Sequence, residues 1–238
     1  MSGHSKWATI KHKKAKEDSK RGKVFTKIIK EITVAARVGG GDPSGNPRLR
    51  FLLDKAKAAN MPIDNAMRAI KKGTGELEGV HYEQHFYEGY GPGHIAIIIE
   101  VLTDNKNRAI AELRNFFSKR GGTITETGAV GWMFEIAGVI HAHGDQITED
   151  MLLENLLDYD IKDIYEEDNG FVISCEPRHI EEVKHVLTKL GMKIDEAEVE
   201  YVAKTLQEIP ADSEEKVYDF LQGIEDLDDV QNVYSNAA

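Results

Sequence analysis

The spacing of apolar residues changes character near residue 79. Over residues 19–37, Phe25, Ile28, Ile29, Ile32 and Ala36 recur at intervals of three and four, which predicts a helix with one apolar side. Lys20, Lys23, Lys27 and Lys30 recur at the same intervals on nearly the opposite side. The glycine-rich residues 39–45 read as a hinge. Asn46 and Pro47 then read as the N-cap and first residue of a second helix, with Leu49, Leu52, Leu53 and Ala56 inward. Pro62 opens a third helix with Ile63, Ala66, Met67 and Ile70 inward and Gly73 as its terminator. Upstream, residues 1–18 offer only Trp7 and Ile10 as large apolar groups, which predicts a mobile arm.

Beyond residue 79, strands alternate with helices. Residues 82–87 and 95–102 read as strands. Residues 107–120 read as a helix with Ala109, Ile110, Leu113, Phe116 and Phe117 inward. Strands follow at 123–126 and 130–135. This set is one helix and one strand short of a ferredoxin-like βαββαβ unit. Residues 137–203 supply a whole unit. It has a strand at 139–142, a helix bearing Leu152, Leu153, Leu156 and Leu157, and strands at 161–166 and 171–175 joined by the turn signal Asp168-Asn169-Gly170. A second helix and a last strand complete it. The alternation of that last strand slips at Asp195-Glu196, which predicts a bulge. The helix at 213–224 and the strand at 230–234 are the two elements the first unit lacks.

The predicted fold class is therefore α+β: an N-terminal three-helix bundle followed by two ferredoxin-like domains, the second inserted in the first. The expected boundaries are an arm at 1–18, a basic helical domain at 19–78, a discontinuous domain at 79–136 plus 204–238, and an insert at 137–203.

Charge divides along the same line. Residues 1–72 carry eighteen Lys and Arg against six Asp and Glu, a net of +12, in a chain whose total is −11. The remaining residues therefore hold about −23. A basic surface attracts a polyanion, and an acidic body deters binding elsewhere. The candidate contacts are Lys6, Lys11, Lys13, Lys14, Lys16, Lys20, Arg21, Lys23, Lys27 and Lys30, with Trp7 able to stack on a base and Arg48 and Arg50 at the start of the second helix. Lysine dominates this set and acts as a point charge, which favours recognition of backbone and shape over a base code. The single cysteine, Cys175, excludes an intramolecular disulfide and points to a reducing compartment. No apolar run approaches membrane-spanning length, so a cytoplasmic protein with no membrane partner is expected.

Catalytic signals are weak. Residues 89–93 lack the Gly-Lys-Ser/Thr ending of a phosphate loop and precede a strand, so they read as a turn. His141 and His143 alternate on one strand, but two ligands do not make a metal site. Asp226, Asp228 and Asp229 read as a polar loop, and Cys175 as an inert core thiol. No nucleophile, paired-carboxylate set or cofactor is indicated, and a non-enzyme is expected.

Several motifs match a known family. Met1-Ser-Gly-His-Ser-Lys-Trp7, Arg21-Gly-Lys-Val-Phe25, Asp42-Pro43 with Asn46-Pro47, Asn60-Met-Pro62, Tyr87-Glu-Gly-Tyr-Gly-Pro92 and Leu102-Thr-Asp-Asn-Lys-Asn-Arg108 resemble the YebC/PmpR family along the whole chain. Gly93-His94-Ile95 departs from it, where a second Gly and a Val are usual. The motif begins at Met1, so no transit peptide like that of mitochondrial relatives is expected. The resemblance implies one helical and two α+β domains and a cytoplasmic regulator of gene expression. Members are described as DNA-binding transcriptional regulators, while others act in translation at the ribosome and relieve stalling. The expected partner is nucleic acid, either DNA or ribosomal RNA, with a protein partner possible at the acidic domains. From a different class, paired ferredoxin-like units can also sense a small molecule at their interface.

Overall fold

The computed structural model describes Trp7, residues 21–167 and residues 170–238. Helix α1 (Arg21–Gly39) lies between α2 (Pro47–Ala58) and α3 (Ile63–Thr74). Ile28, Ile32, Ala35, Ala36, Leu49, Leu52, Ala66, Ala69 and Ile70 form their core. Asn46 caps α2, its Oδ1 accepting from Leu49 N at 3.0 Å. Its amide nitrogen also donates to Ala35 O at 2.9 Å and Gly40 O at 2.8 Å. That ties the 39–45 stretch to the end of α1, so the expected hinge is a fixed connection. Asn60-Met-Pro62 is a helix stop. Asn60 is left-handed (φ 57°), and Met61 N closes onto Ala56 O at 2.9 Å.

Two expectations for α3 fail. Gly73 does not end the helix; Gly75 does, at φ 83°. A Cβ on Gly73 would lie 2.4 Å from Thr33 O and 2.8 Å from Ala36 Cβ, so its bare Cα permits the close approach of α1. The inward face is the small-residue face Ala66, Ala69, Ile70 and Gly73, while Ile63 and Met67 point to solvent.

The first sheet runs β3-β1-β2-β8, from β1 (Glu83–Tyr90), β2 (Ala96–Thr103), β3 (Thr123–Thr125) and β8 (Val230–Ser235). Helices α4 (Lys106–Arg120) and α7 (Glu214–Glu225) cover one face and bury Leu113, Phe117, Val217, Phe220 and Ile224 against Ile97, Ile99 and Val233. The expected strand at 130–135 does not form in this sheet: residues 131–133 make a 3₁₀ turn, and Phe134 and Glu135 begin a strand of the second sheet. Glu88 accepts backbone N–H groups from Gly128, Val130 and Gly131 at 2.7, 2.7 and 2.8 Å, so they are bonded to a carboxylate and not to a ladder. Burial raises the Glu88 pKa, but these three bonds outweigh it and hold the carboxyl below its usual range. The place of the missing strand is taken by β1 from upstream.

The second sheet runs β5-β6-β4-β7, the order of a complete βαββαβ unit. Its elements are β4 (Phe134–His143), α5 (Glu149–Leu156), β5 (Ile161–Glu167), β6 (Gly170–Cys175), α6 (Ile180–Lys189) and β7 (Lys193–Ala203). Because β4 is one strand from Phe134 onward, the boundary expected at 137 falls inside it. His141 faces Glu196 and Ala142 faces Ile194, which leaves Asp195 as the bulge residue. The turn at Asp168-Asn169 lies outside the described residues. Leu152 and Leu156 seat α5, whereas Leu153 and Leu157, expected inward, are exposed. Since β8 joins the first sheet after β7 closes the second, the second unit is an insertion in the first. Phe134, Ala203, Ile98 and Tyr234 pack between the two.

Candidate nucleic-acid interface

The lysine stripe of α1 faces another domain. Lys23 Nζ donates to Asp226 O at 2.9 Å, and Lys27 Nζ donates to Glu225 O at 3.4 Å and Gln231 O at 3.1 Å. Glu225 and Asp226 stand at the C-terminal end of α7, where unpaired carbonyls and the helix dipole favour cations. Lys30 is buried. Its Nζ donates to Asp229 Oδ1 at 2.9 Å, Asp228 O at 2.9 Å and Leu102 O at 3.2 Å.

The other oxygen of Asp229 accepts from Thr103 Oγ1 at 2.9 Å and from Arg108 Nη2 at 2.8 Å. Burial raises the Asp229 pKa, but the bonds from Arg108, Lys30 and Thr103 outweigh it and hold the carboxyl below its ordinary range. Arg108 also reaches Asp104 at 2.7 Å, and Asn105 caps α4 by accepting from Arg108 N. The 102–108 motif and the loop read as merely polar thus form a latch between the helical and first α+β domains. A second junction joins the helical domain to the insert, where Lys55 of α2 pairs with Glu198 of β7. Glu31 lies 4.0 Å from Lys55. Burial, the larger influence, raises the Glu31 carboxyl, although Lys55 opposes it.

Four candidate residues are engaged elsewhere in the fold. Lys27 and Lys30, and in part Lys23, serve domain docking; Lys30 in particular is closed to a phosphate. Trp7 is not a stacking platform. Its indole is 2% exposed in the core of the first α+β domain, and its Nε1 donates to Val233 O at 3.1 Å. A polar rim on an apolar ring suits a buried site with one carbonyl in reach. The rest of the arm, with Lys6, Lys11, Lys13, Lys14, Lys16 and Lys20, and the Arg21 side chain lie outside the described residues.

Arg48 and Arg50 are exposed in the first turn of α2, and Arg50 Nη1 donates to Pro43 O at 3.3 Å. Lys57, Arg68, Lys71 and Lys72 are exposed with them. None of these six forms an ion pair among the described residues. The last four lie outside the lysine-dense run that marks the sequence candidates. For the three on α3 the locating signal is the small-residue spacing Ala66, Ala69, Gly73, which marks the inward side of the helix and so turns Arg68, Lys71 and Lys72 outward.

The remaining candidates carry little chemistry. His143 Nδ1 lies 2.7 Å from Asp195 Oδ2 and His141 Nδ1 lies 3.5 Å from Glu167 Oε2, so each histidine has its own carboxylate. Among the described residues no cluster of three metal-ligating side chains occurs. Cys175 is buried, and burial, aided by Glu176, pushes its thiol up to about 11. A cleft of about 390 Å³ lies beside α4 and α7 against Arg120, Lys216, Asp219 and Phe220. No helix among the described residues is long and apolar enough to cross a membrane.

Comparison with known proteins gives a consistent result. The family model described as TACO1/YebC protein N-terminal domain matches residues 5–76, and that described as TACO1/YebC second and third domain matches residues 82–237. A protein of Desulforapulum autotrophicum named a probable transcriptional regulatory protein is 52% identical over 237 residues, covering 100% of this chain and 96% of its own. One of Geobacter sulfurreducens with the same description is 49% identical and covers 99% and 95%. The crystal structure of a conserved hypothetical protein from Aquifex aeolicus superposes with a TM-score of 0.87 at 43% identity, covering 98% of this chain and 97% of that one.

Proposed function

The chain belongs to the TACO1/YebC family, and from that premise we propose that it is a non-enzymatic regulator of gene expression that binds nucleic acid through its helical domain. The observation that carries the reading is the set of exposed cations on α2 and α3: Arg48, Arg50, Lys57, Arg68, Lys71 and Lys72 form no ion pair among the described residues. The acidic remainder of the chain repels a polyanion and so directs it to this face. The lysines at 6, 11, 13, 14, 16 and 20 and Arg21 extend the same charge along the chain. The names of the relatives favour transcription. A translation factor that binds ribosomal RNA uses the same charge.

The test is binding as a function of salt. A protein that neutralises six to ten phosphates loses roughly 10³–10⁵ in affinity between about 50 and 200 mM salt. Arg48→Glu with Arg50→Glu, and separately Lys71→Glu with Lys72→Glu, are expected to weaken binding and flatten that dependence without lowering thermal stability. Affinity that is indifferent to salt in the parent protein sinks the proposal. Protection of a promoter segment against co-sedimentation with ribosomes then separates transcription from translation.

A further inference from the structure

Helix α3 exposes more than charge. Ile63 is 67% and Met67 46% exposed, and with Lys71 they follow one another at intervals of four along a single ridge. The adjoining ridge is Asp64, Arg68 and Lys72, all exposed. The opposite side, Ala66, Ala69, Ile70 and Gly73, is buried against α1, so the helix cannot turn to hide the apolar pair. A lone exposed apolar side chain is ordinary. Two in register, continuous with three cations and 12 residues from cap to cap, form a composite surface.

That surface suits one kind of polyanion. The cations meet phosphates, as in the functional reading on which this inference rests. Ile63 has no donor or acceptor and Met67 only a weakly accepting thioether, so the pair cannot make the bidentate hydrogen bonds by which Arg, Asn or Gln read base edges, and at an edge they could meet only a thymine methyl. In a paired duplex the base faces are covered by their neighbours. Unpaired bases expose theirs, and a thioether packs well on an aromatic face. We infer that the Ile63–Met67 ridge of α3 holds unstacked bases of a looped or single-stranded segment while Arg68, Lys71 and Lys72 hold its phosphates.

The experiment uses the full chain and four labelled probes: an RNA hairpin with an unpaired loop, its fully paired RNA counterpart, and the same two in DNA. Ile63→Ala with Met67→Ala is expected to weaken binding to the hairpins by about tenfold, the loss of two partly buried apolar contacts, and to leave the paired probes and the salt slope unchanged. Met67→Lys is expected to tighten binding to paired probes while reducing the preference for loops. The stronger of the two hairpins identifies the polymer. Equal losses on looped and paired probes, or none on either, overturn the inference. So does an unchanged affinity with altered self-association, which assigns the ridge to a protein contact. If the parent chain binds no probe at low salt, the functional reading itself fails; if it binds and only the variants behave as parent, this inference alone falls.

Discussion

The two tryptophans show how little a residue type says about its setting. Trp7 stands in a run of lysines and is buried with its nitrogen satisfied, while Trp132 stands in an apolar stretch and is 67% exposed. Removing a buried Trp side chain costs about 3–5 kcal/mol. Trp7→Ala is therefore expected to cost the first α+β domain stability on that scale, read from urea unfolding as a lower midpoint, whereas Trp132→Phe is expected to be nearly neutral. Acrylamide quenching checks the assignment independently: emission remaining in Trp132→Phe should be shielded, and that remaining in Trp7→Phe should be quenched.

At the level of elements, Gly73 is the sharpest test of how α1 and α3 meet. Alanine is the better helix former by about 1 kcal/mol. Here its methyl would sit 2.4 Å from Thr33 O, and overpacking costs about 1–3 kcal/mol. Gly73→Ala is expected to lower the melting temperature, and a rise would show that the helices can separate without cost. The same helix marks the limit of periodicity as a guide. The positions of α1, α2, α4 and α7, the insertion of one unit in another, and the bulge at Asp195 all follow from spacing, because spacing reports which side of an element differs from the other. It does not report what each side meets. The lysines of α1 lie opposite its apolar stripe as expected, yet they face the carbonyls at the end of α7, some two hundred residues downstream. In α3 the spacing puts Ile63, Ala66, Met67 and Ile70 inward; Ala66 and Ile70 are, but the close crossing with α1 takes Ala69 and Gly73 in place of Ile63 and Met67. Of the candidate contacts with described side chains, Arg48 and Arg50 keep an open position, while Lys30 and Trp7 lose theirs to pairings no local pattern encodes.

For the whole molecule, Asp229 is the link between the helical domain and the first sheet. Removing one partner of a buried ion pair costs about 3–5 kcal/mol, since the other charges remain without compensation. Asp229→Ala is expected to show that loss near neutral pH and to expose residues 75–82 to limited proteolysis. The folded carboxyl titrates below its ordinary 3.8, so its contribution is complete above that value and is lost as the pH falls through the lowered one. The gap between parent and variant should accordingly close in acid; a gap that persists would place the cost elsewhere. The Trp7–Val233 hydrogen bond also bears on synthesis. Domains generally fold as they leave the ribosome, at about 5–20 residues per second. The inserted unit can do so once residue 203 has emerged. The first sheet cannot, because β2 has no neighbour on one edge until β8 is made. A tryptophan translated among the first residues must then wait for almost the entire polypeptide before its pocket exists, which makes this domain the last to mature and an unfinished β2 the surface most in need of protection in the nascent chain.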